Sequence, residues 1–174
     1  MKKEQMLEFI KAVKENDEIK KEFTSLIIDV LDLRRNEFHP LVFINGKPQI
    51  GENVYIGLFS EINAKGGEVI ISDNCDIASF VSINVADSHK KCIGMETDIE
   101  RKPIILESNT FVGSHSFIGG DVHIGHNSVV AAGTILIDCG YVPPYSLIVG
   151  NPAKIKKGYY LQFQNGVNDC DNKS

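Results

Sequence analysis

Across residues 50–142, large aliphatic side chains recur six residues apart in three successive runs, a spacing that neither an α-helix nor an alternating strand can use. The series runs Ile50, Ile56, Ile62, then Ile71, Ile77, Ile83, and after a break Leu106, Val112, Ile118, Ile124, Val130, Leu136 and Val142. In a helix this register would carry the apolar stripe around the whole surface. Six residues suit one short flat face and its corner, with three faces closing a triangular coil whose anchors stack on those of the next coil. Four residues after the anchors stand small or β-branched residues: Val54, Ser60, Cys75, Val81, Thr110, Ser116, Val122, Ser128, Thr134 and Gly140. Gly or Ala follows many anchors directly, as at Gly51, Gly57, Ala78, Gly113, Gly119, Gly125 and Ala131, where a small residue is expected because the chain turns. The period therefore predicts a mainly β protein, a parallel β-helix.

The rhythm stops between Ile83 and Leu106 for a polar stretch, residues 84–105, that contains His89. A stacked repeat gains no stability from such an excursion, and loops on rigid scaffolds commonly carry function. A smaller slip at Ala64-Lys-Gly-Gly67 reads as a tight turn or bulge that needs no functional account. Ahead of the repeat, Met6, Phe9, Ile10 and Val13, then Ile19, Phe23, Leu26, Ile27 and Val30, mark two amphipathic helices with Asn16 or Asp17 as cap between them. His39-Pro40 and Asn45-Gly46 mark a loop or hairpin. The expected organisation is residues 1–45 as N-terminal helices and connecting loop, 46–158 as the β-helix with the loop at 84–105, and 159–174 as a polar, frayed C-terminal tail.

Charge and cysteines narrow the function. A net charge of −5 gives no general attraction to nucleic acid or anionic lipid. No apolar run reaches the ~20 residues of a membrane span, and the charged start does not read as a signal peptide. Cys75, Cys92, Cys139 and Cys170 are scattered without a C-x-x-C pair, as expected of reduced thiols in a cytoplasmic protein.

Residues 48–158 resemble the hexapeptide-repeat acyltransferases, in the branch of galactoside, maltose, xenobiotic and nucleotide-sugar acetyltransferases. The closing segment Val142-Pro-Pro-Tyr-Ser-Leu-Ile-Val-Gly-Asn-Pro-Ala-Lys-Ile-Lys156 carries this resemblance most specifically, and the extruded loop with Asp87-Ser-His89 is its second part. The resemblance implies a left-handed coil, against the usual crossover rule, and a homotrimer with active sites between subunits. It implies acetyl-CoA as co-substrate, a sugar acceptor and no metal. By position His89 matches the general base, while Gly113, Ser114 and Ala132 match the turns lining the thioester and pantetheine arm. Lys154, with Lys156 or Lys157, matches the basic ending near the CoA phosphates. His115 departs from the pattern, standing where commoner members carry asparagine or another small polar residue.

The chemistry follows from these residue types. A neutral imidazole can take a proton from an attacking hydroxyl or amine at neutral pH, and N–H groups near Gly113 and Ser114 can stabilise the oxyanion. Asp87 and Glu100 are the carboxylates able to orient His89, although each reads first as an ordinary surface carboxylate. Asn84 leaves the last coil before the loop, where it can touch acceptor hydroxyls or simply turn the chain. His115 is the expected second substrate-side residue. Nothing near Cys92 marks an activated nucleophile. The favoured acceptor is a nucleotide-linked amino sugar of surface-polysaccharide assembly, acetylated on nitrogen; O-acetylation of a sugar hydroxyl is the alternative. A reading of another class is a zinc enzyme like the γ-carbonic anhydrases or a non-catalytic trimer. His115, His123 and His126 raise that reading, although they lack the H-x-H-x-x-x-x-H spacing.

Overall fold

The computed structural model describes residues 3–30, 38 and 41–164. His39-Pro40, Cys170 and residues 165–174 of the expected tail lie outside them. The chain divides into two compact units at Pro40 and Leu41. In the first, α1 (Lys3–Glu15) and α2 (Asp17–Val30) form a helical hairpin. Asn16 caps α2, its Oδ1 accepting the N–H of Glu18 at 2.9 Å and of Ile19 at 3.2 Å. Phe9 meets Phe23 edge-on at 5.3 Å between ring centres.

The second unit is the parallel β-helix. Its three sheets each collect one face of every coil. Sheet A stacks 43–45, 61–63, 82–84, 117–119 and 135–137; sheet B stacks 49–50, 69–71, 104–106, 122–124 and 140–142. Sheet C stacks 55–56, 76–77, 111–112, 129–130 and 147–149, and is closed by Lys154–Lys156, which turns back antiparallel on 147–149. The first strand, Phe43–Asn45, pairs with Glu61–Asn63, so the coil begins ahead of Gly46.

Register explains the period. Leu106 pairs with Ile124, Val112 with Val130 and Ile118 with Leu136, each 18 residues on. Ile62, Ile77, Ile83, Leu106, Val112, Ile118, Ile124, Val130, Leu136 and Val142 are at most 1% exposed. Ile148 extends the series by one anchor and is equally buried. The small positions between anchors are buried too, except the half-buried Val54 and Gly140, and the buried hydroxyls are satisfied by backbone carbonyls. Ser60 donates to Ala78 at 2.9 Å, Ser116 to Ala131 at 3.1 Å and Ser146 to Pro143 at 2.6 Å.

The small residue that follows many anchors has a different cause from the one its sequence position suggests. A Cβ on Gly113 would sit 2.4 Å from the backbone nitrogen of Ala132, so close approach of the next coil sets the size limit. The turn itself falls two residues later, at left-handed positions. Asn53, Asn74, Asn109 and Asn127 occupy one corner, and Phe59, Phe80 and His115 occupy another. Asparagine tolerates this conformation readily; the bulkier residues adopt it with their rings stacked, Phe59 on Phe80 at 5.2 Å and Phe80 on His115 at 4.8 Å.

The interruption leaves the stack intact: Ile83 pairs directly with Ile118 although the loop intervenes. Its neck is a two-stranded antiparallel ribbon, Ala86–Asp87 with Glu100–Arg101, and its tip carries α3 (His89–Cys92). The slip at 64–67 is a turn, with Gly66 at φ +73°, and it also seats the loop. Arg101 Nε donates to the Lys65 carbonyl at 3.0 Å, and a Cβ on Gly67 would meet the Val85 side chain at 2.9 Å.

Ile118→Ala tests the column. It should cost about 2–5 kcal/mol in urea unfolding, as for other truncations of fully buried aliphatics. A loss below about 1 kcal/mol would mean that the stacked anchors do not govern stability.

Candidate active site

The loop and the two coils above its root enclose a groove of about 190 Å³, with Asn84, Asp87, Glu100, Lys102, Phe117 and Asp138 in its lining. Asn84 ends its sheet A strand and pairs with Gly119, which pairs with Ile137, so the groove lies at the corner where sheet A hands the chain to sheet B. The absence of a side chain at Gly119 leaves room above Asn84, and a Cβ there would meet the Phe117 ring at 2.6 Å.

His89 adjoins this groove through Asp87. One oxygen of Asp87 accepts the backbone N–H of His89 at 2.9 Å, a local turn that launches α3, and also faces the ring Nδ1 at 2.5 Å. The His89 backbone N–H, then its ring, hold the Asp87 carboxyl below its ordinary pKa. An ionised carboxylate only accepts hydrogen bonds, so Nδ1 is the donor, and in the neutral ring the lone pair is on Nε2. Of the two carboxylates that could orient the imidazole, Asp87 makes the contact. Glu100 is turned to Lys90 at 2.9 Å and Lys102 at 3.1 Å, and those lysines lower its pKa.

Lys102 continues the chain of charges to Asp138 Oδ1 at 2.9 Å, tying the loop to a coil corner. Asp138 also accepts the N–H of Asp121 at 3.0 Å; that N–H first, and Lys102 second, hold its carboxyl below its ordinary pKa. These side chains are 35–50% exposed, so solvent and salt screen them. Sequence reading missed Lys102, Phe117, Gly119 and Asp138. The available signal was register: with the loop excised, Gly119 falls one coil above Asn84.

The other sequence-derived site residues are elsewhere. Gly113 and Ser114 form the corner between sheets C and A, and Ala132 stands exposed in the next coil, where Gly133 N–H bonds the Ser114 carbonyl at 2.9 Å. This is the opposite edge of sheet A from the groove. His115 belongs to that corner, stacked on Phe80, and is absent from the groove lining. Lys154 and Lys157 are exposed at the closing end of the coil, and Lys156 stands 5.6 Å above the Tyr159 ring. His123 Nε2 pairs with Glu107 at 2.8 Å, and His126 Nδ1 contacts Asn127 at 2.8 Å, so the three histidines have separate partners. Among the described residues no three His, Cys, Asp or Glu side chains converge as metal ligands, no helix is long and apolar enough to cross a membrane, and Cys75, Cys92 and Cys139 are free thiols.

Residues 103–137 match the family described as the hexapeptide repeat of succinyl-transferase. The chain belongs to the hexapeptide-repeat family. It is 30% identical over 129 residues to the bifunctional protein GlmU of Streptococcus equi subsp. zooepidemicus, an alignment covering 69% of this chain and 26% of the relative. The chain thus spans about a quarter of that relative's length. The hexapeptide-repeat acetyltransferase VCA0836 of Vibrio cholerae superposes with a TM-score of 0.54 at 25% identity, covering 67% of this chain and 69% of that one. AntD, an N-acyltransferase of Bacillus cereus solved with dTDP and 3-hydroxybutyryl-CoA, superposes at 0.60 with 20% identity and 76% of each chain covered.

The Asp87–His89 contact has a pH signature. Because folding lowers the Asp87 pKa, the stabilisation it carries is complete above the ordinary carboxyl range and is lost as pH falls through the lowered value. Carboxyl-carbon NMR should place the Asp87 midpoint below its ordinary value of 3.8, and His89→Ala should move it back up. An unchanged midpoint in that variant would break the pairing.

Proposed function

We propose that the chain is an acyl-CoA-dependent acetyltransferase acting on a sugar acceptor, with His89 as general base. The observation that carries this reading is the His89 ring held through Nδ1 by Asp87, which itself lines a small groove. The acceptor nitrogen or hydroxyl oxygen attacks the thioester carbonyl as Nε2 takes its proton. The carbon–sulfur bond then breaks, and the imidazolium returns that proton to the departing thiolate. Such a base is worth roughly 10²–10⁴-fold. N–H groups at the Gly113–Ser114 corner supply donors for the oxyanion, the exposed Ala132 leaves space for the pantetheine arm, and Lys154 and Lys157 meet the CoA phosphates.

One chain cannot assemble all of this, since base and corner occupy opposite edges of sheet A. The groove of about 190 Å³ is also below the roughly 300–1,000 Å³ of ordinary ligand pockets. A homotrimer that lays one subunit's loop against its neighbour's corner completes the site, consistent with closed cyclic assembly. An amino-sugar nucleotide is the favoured acceptor, acetylated on nitrogen. Its support is AntD, similar in fold and described with dTDP-4-amino-4,6-dideoxyglucose and coenzyme A.

Thiol release from acetyl-CoA across amino-sugar nucleotides and simple glycosides tests the reaction: turnover with an amino-sugar nucleotide is expected, and silence together with no acetyl-CoA binding would refute it. His89→Ala should keep CoA binding while lowering kcat at least about a hundredfold; near-normal turnover would remove the base. Lys154→Ala should weaken CoA more than dephospho-CoA, and equal losses would take Lys154 out of the phosphate site.

A further inference from the structure

Three asparagines stand on successive coils of sheet A at the same register: Asn45 pairs with Asn63, and Asn63 with Asn84. Their side chains bond along the coil axis, Asn45 Nδ2 donating to Asn63 Oδ1 and Asn63 Nδ2 to Asn84 Oδ1, both at 3.0 Å. The direction of this ladder is dictated by the backbone. The N–H of Lys65 points at Asn63 Oδ1 at 3.2 Å, and the N–H of Ala86 at Asn84 Oδ1 at 2.9 Å. A backbone N–H only donates, so the atom facing it must be the amide oxygen, and each NH₂ is forced toward the next coil.

At Asn84 the next position is Gly119, which has no side chain to continue the ladder. The Asn84 NH₂ has no acceptor among the described residues, and Asn84 and Gly119 both line the groove beside the Asp87–His89 pair. We infer that the asparagine ladder presents the Asn84 NH₂ to the groove as a donor of fixed polarity, which binds an oxygen of the acceptor sugar. Asn63 and Asn45 are then positioning residues that never touch the ligand. A donor here refuses an ammonium group, which also only donates. The partner is therefore a hydroxyl, ether or carbonyl oxygen next to the reacting atom, and the reacting atom belongs to His89.

The identity of the ligand rests on the acyltransfer reading; the polarity of the ladder does not, and the two are tested separately. In the ligand-free protein, NMR hydrogen exchange of the side-chain amides should find Asn45 and Asn63 protected and Asn84 exchanging faster. An Asn84 NH₂ as protected as that of Asn63 would overturn the ladder, whether or not any acceptor turns over. With the amino-sugar nucleotide that turns over, Asn84→Asp keeps both incoming bonds but offers only oxygen. It should raise the acceptor KM more than about tenfold while leaving the acetyl-CoA KM within about twofold. Asn63→Asp, outside the groove, cannot donate to Asn84 and should raise the acceptor KM about two- to tenfold. Asn63→Ser removes the donor without added charge and serves if Asn63→Asp does not fold. An unchanged acceptor KM in a folded Asn63 variant, or equal rises for both substrates, would reduce Asn63 to a structural role and overturn the inference.

Discussion

Inward-facing aliphatics stacked at fixed register hold every other feature of the β-helix in place. Backbone N–H groups tie each coil to both neighbours: Gly57 donates up to Ile77 at 2.7 Å, Ala78 to Val112 at 2.9 Å and Gly113 to Val130 at 2.8 Å, while Phe80 donates down to Leu58 at 3.0 Å. A slip of one residue would turn the buried anchors outward, so burial enforces the pairing. Once the inner column is fixed, the outer positions repeat as well. The asparagine ladder of sheet A and the Phe59–Phe80–His115 stack are consequences of that repetition.

The same constraint explains why a long loop can be inserted at low cost. Ile83 finds Ile118 as if the loop were absent, so the insertion needs only a neck that closes. The Ala86–Asp87 and Glu100–Arg101 ribbon closes it, Arg101 rests on the 64–67 turn, and Lys102 ties it forward to Asp138. His89 stands on a four-residue helix above that neck, oriented by the carboxylate two residues before it. The loop is thus braced at both sides of its root, while its tip remains open to a neighbouring molecule.

The six-residue period made the coil legible because a backbone repeat leaves its mark at every anchor. It also marked the loop, since an interruption in a strict rhythm is easy to see. What surrounds His89 was harder to read. Lys102 and Asp138 are far apart in sequence and meet only because the coil brings them together, and charge pairs carry no periodic signature. His115 reads as a site residue from its nearness to Gly113 and Ser114, and what the sequence did not show is that its ring stacks on Phe80 at that corner. The 64–67 slip read as a plain turn because its partner, Arg101, lies in the loop. Asn45 and Asn63 carried no functional signal until register placed them beneath Asn84.

The most direct test of the account is subunit complementation, because the proposed base and the proposed cofactor corner lie on opposite edges of one sheet. His89→Ala lacks the base, and Ala132→Trp blocks the corner at an exposed position. Each should be inactive alone while keeping the assembled mass of the wild type in light scattering. Unfolded, mixed in equal amounts and refolded, they should regain about a quarter of wild-type activity, since each mixed cyclic trimer restores one site in three. No recovery above the parent variants, with mixed trimers present, would place the whole site within one subunit and contradict the account.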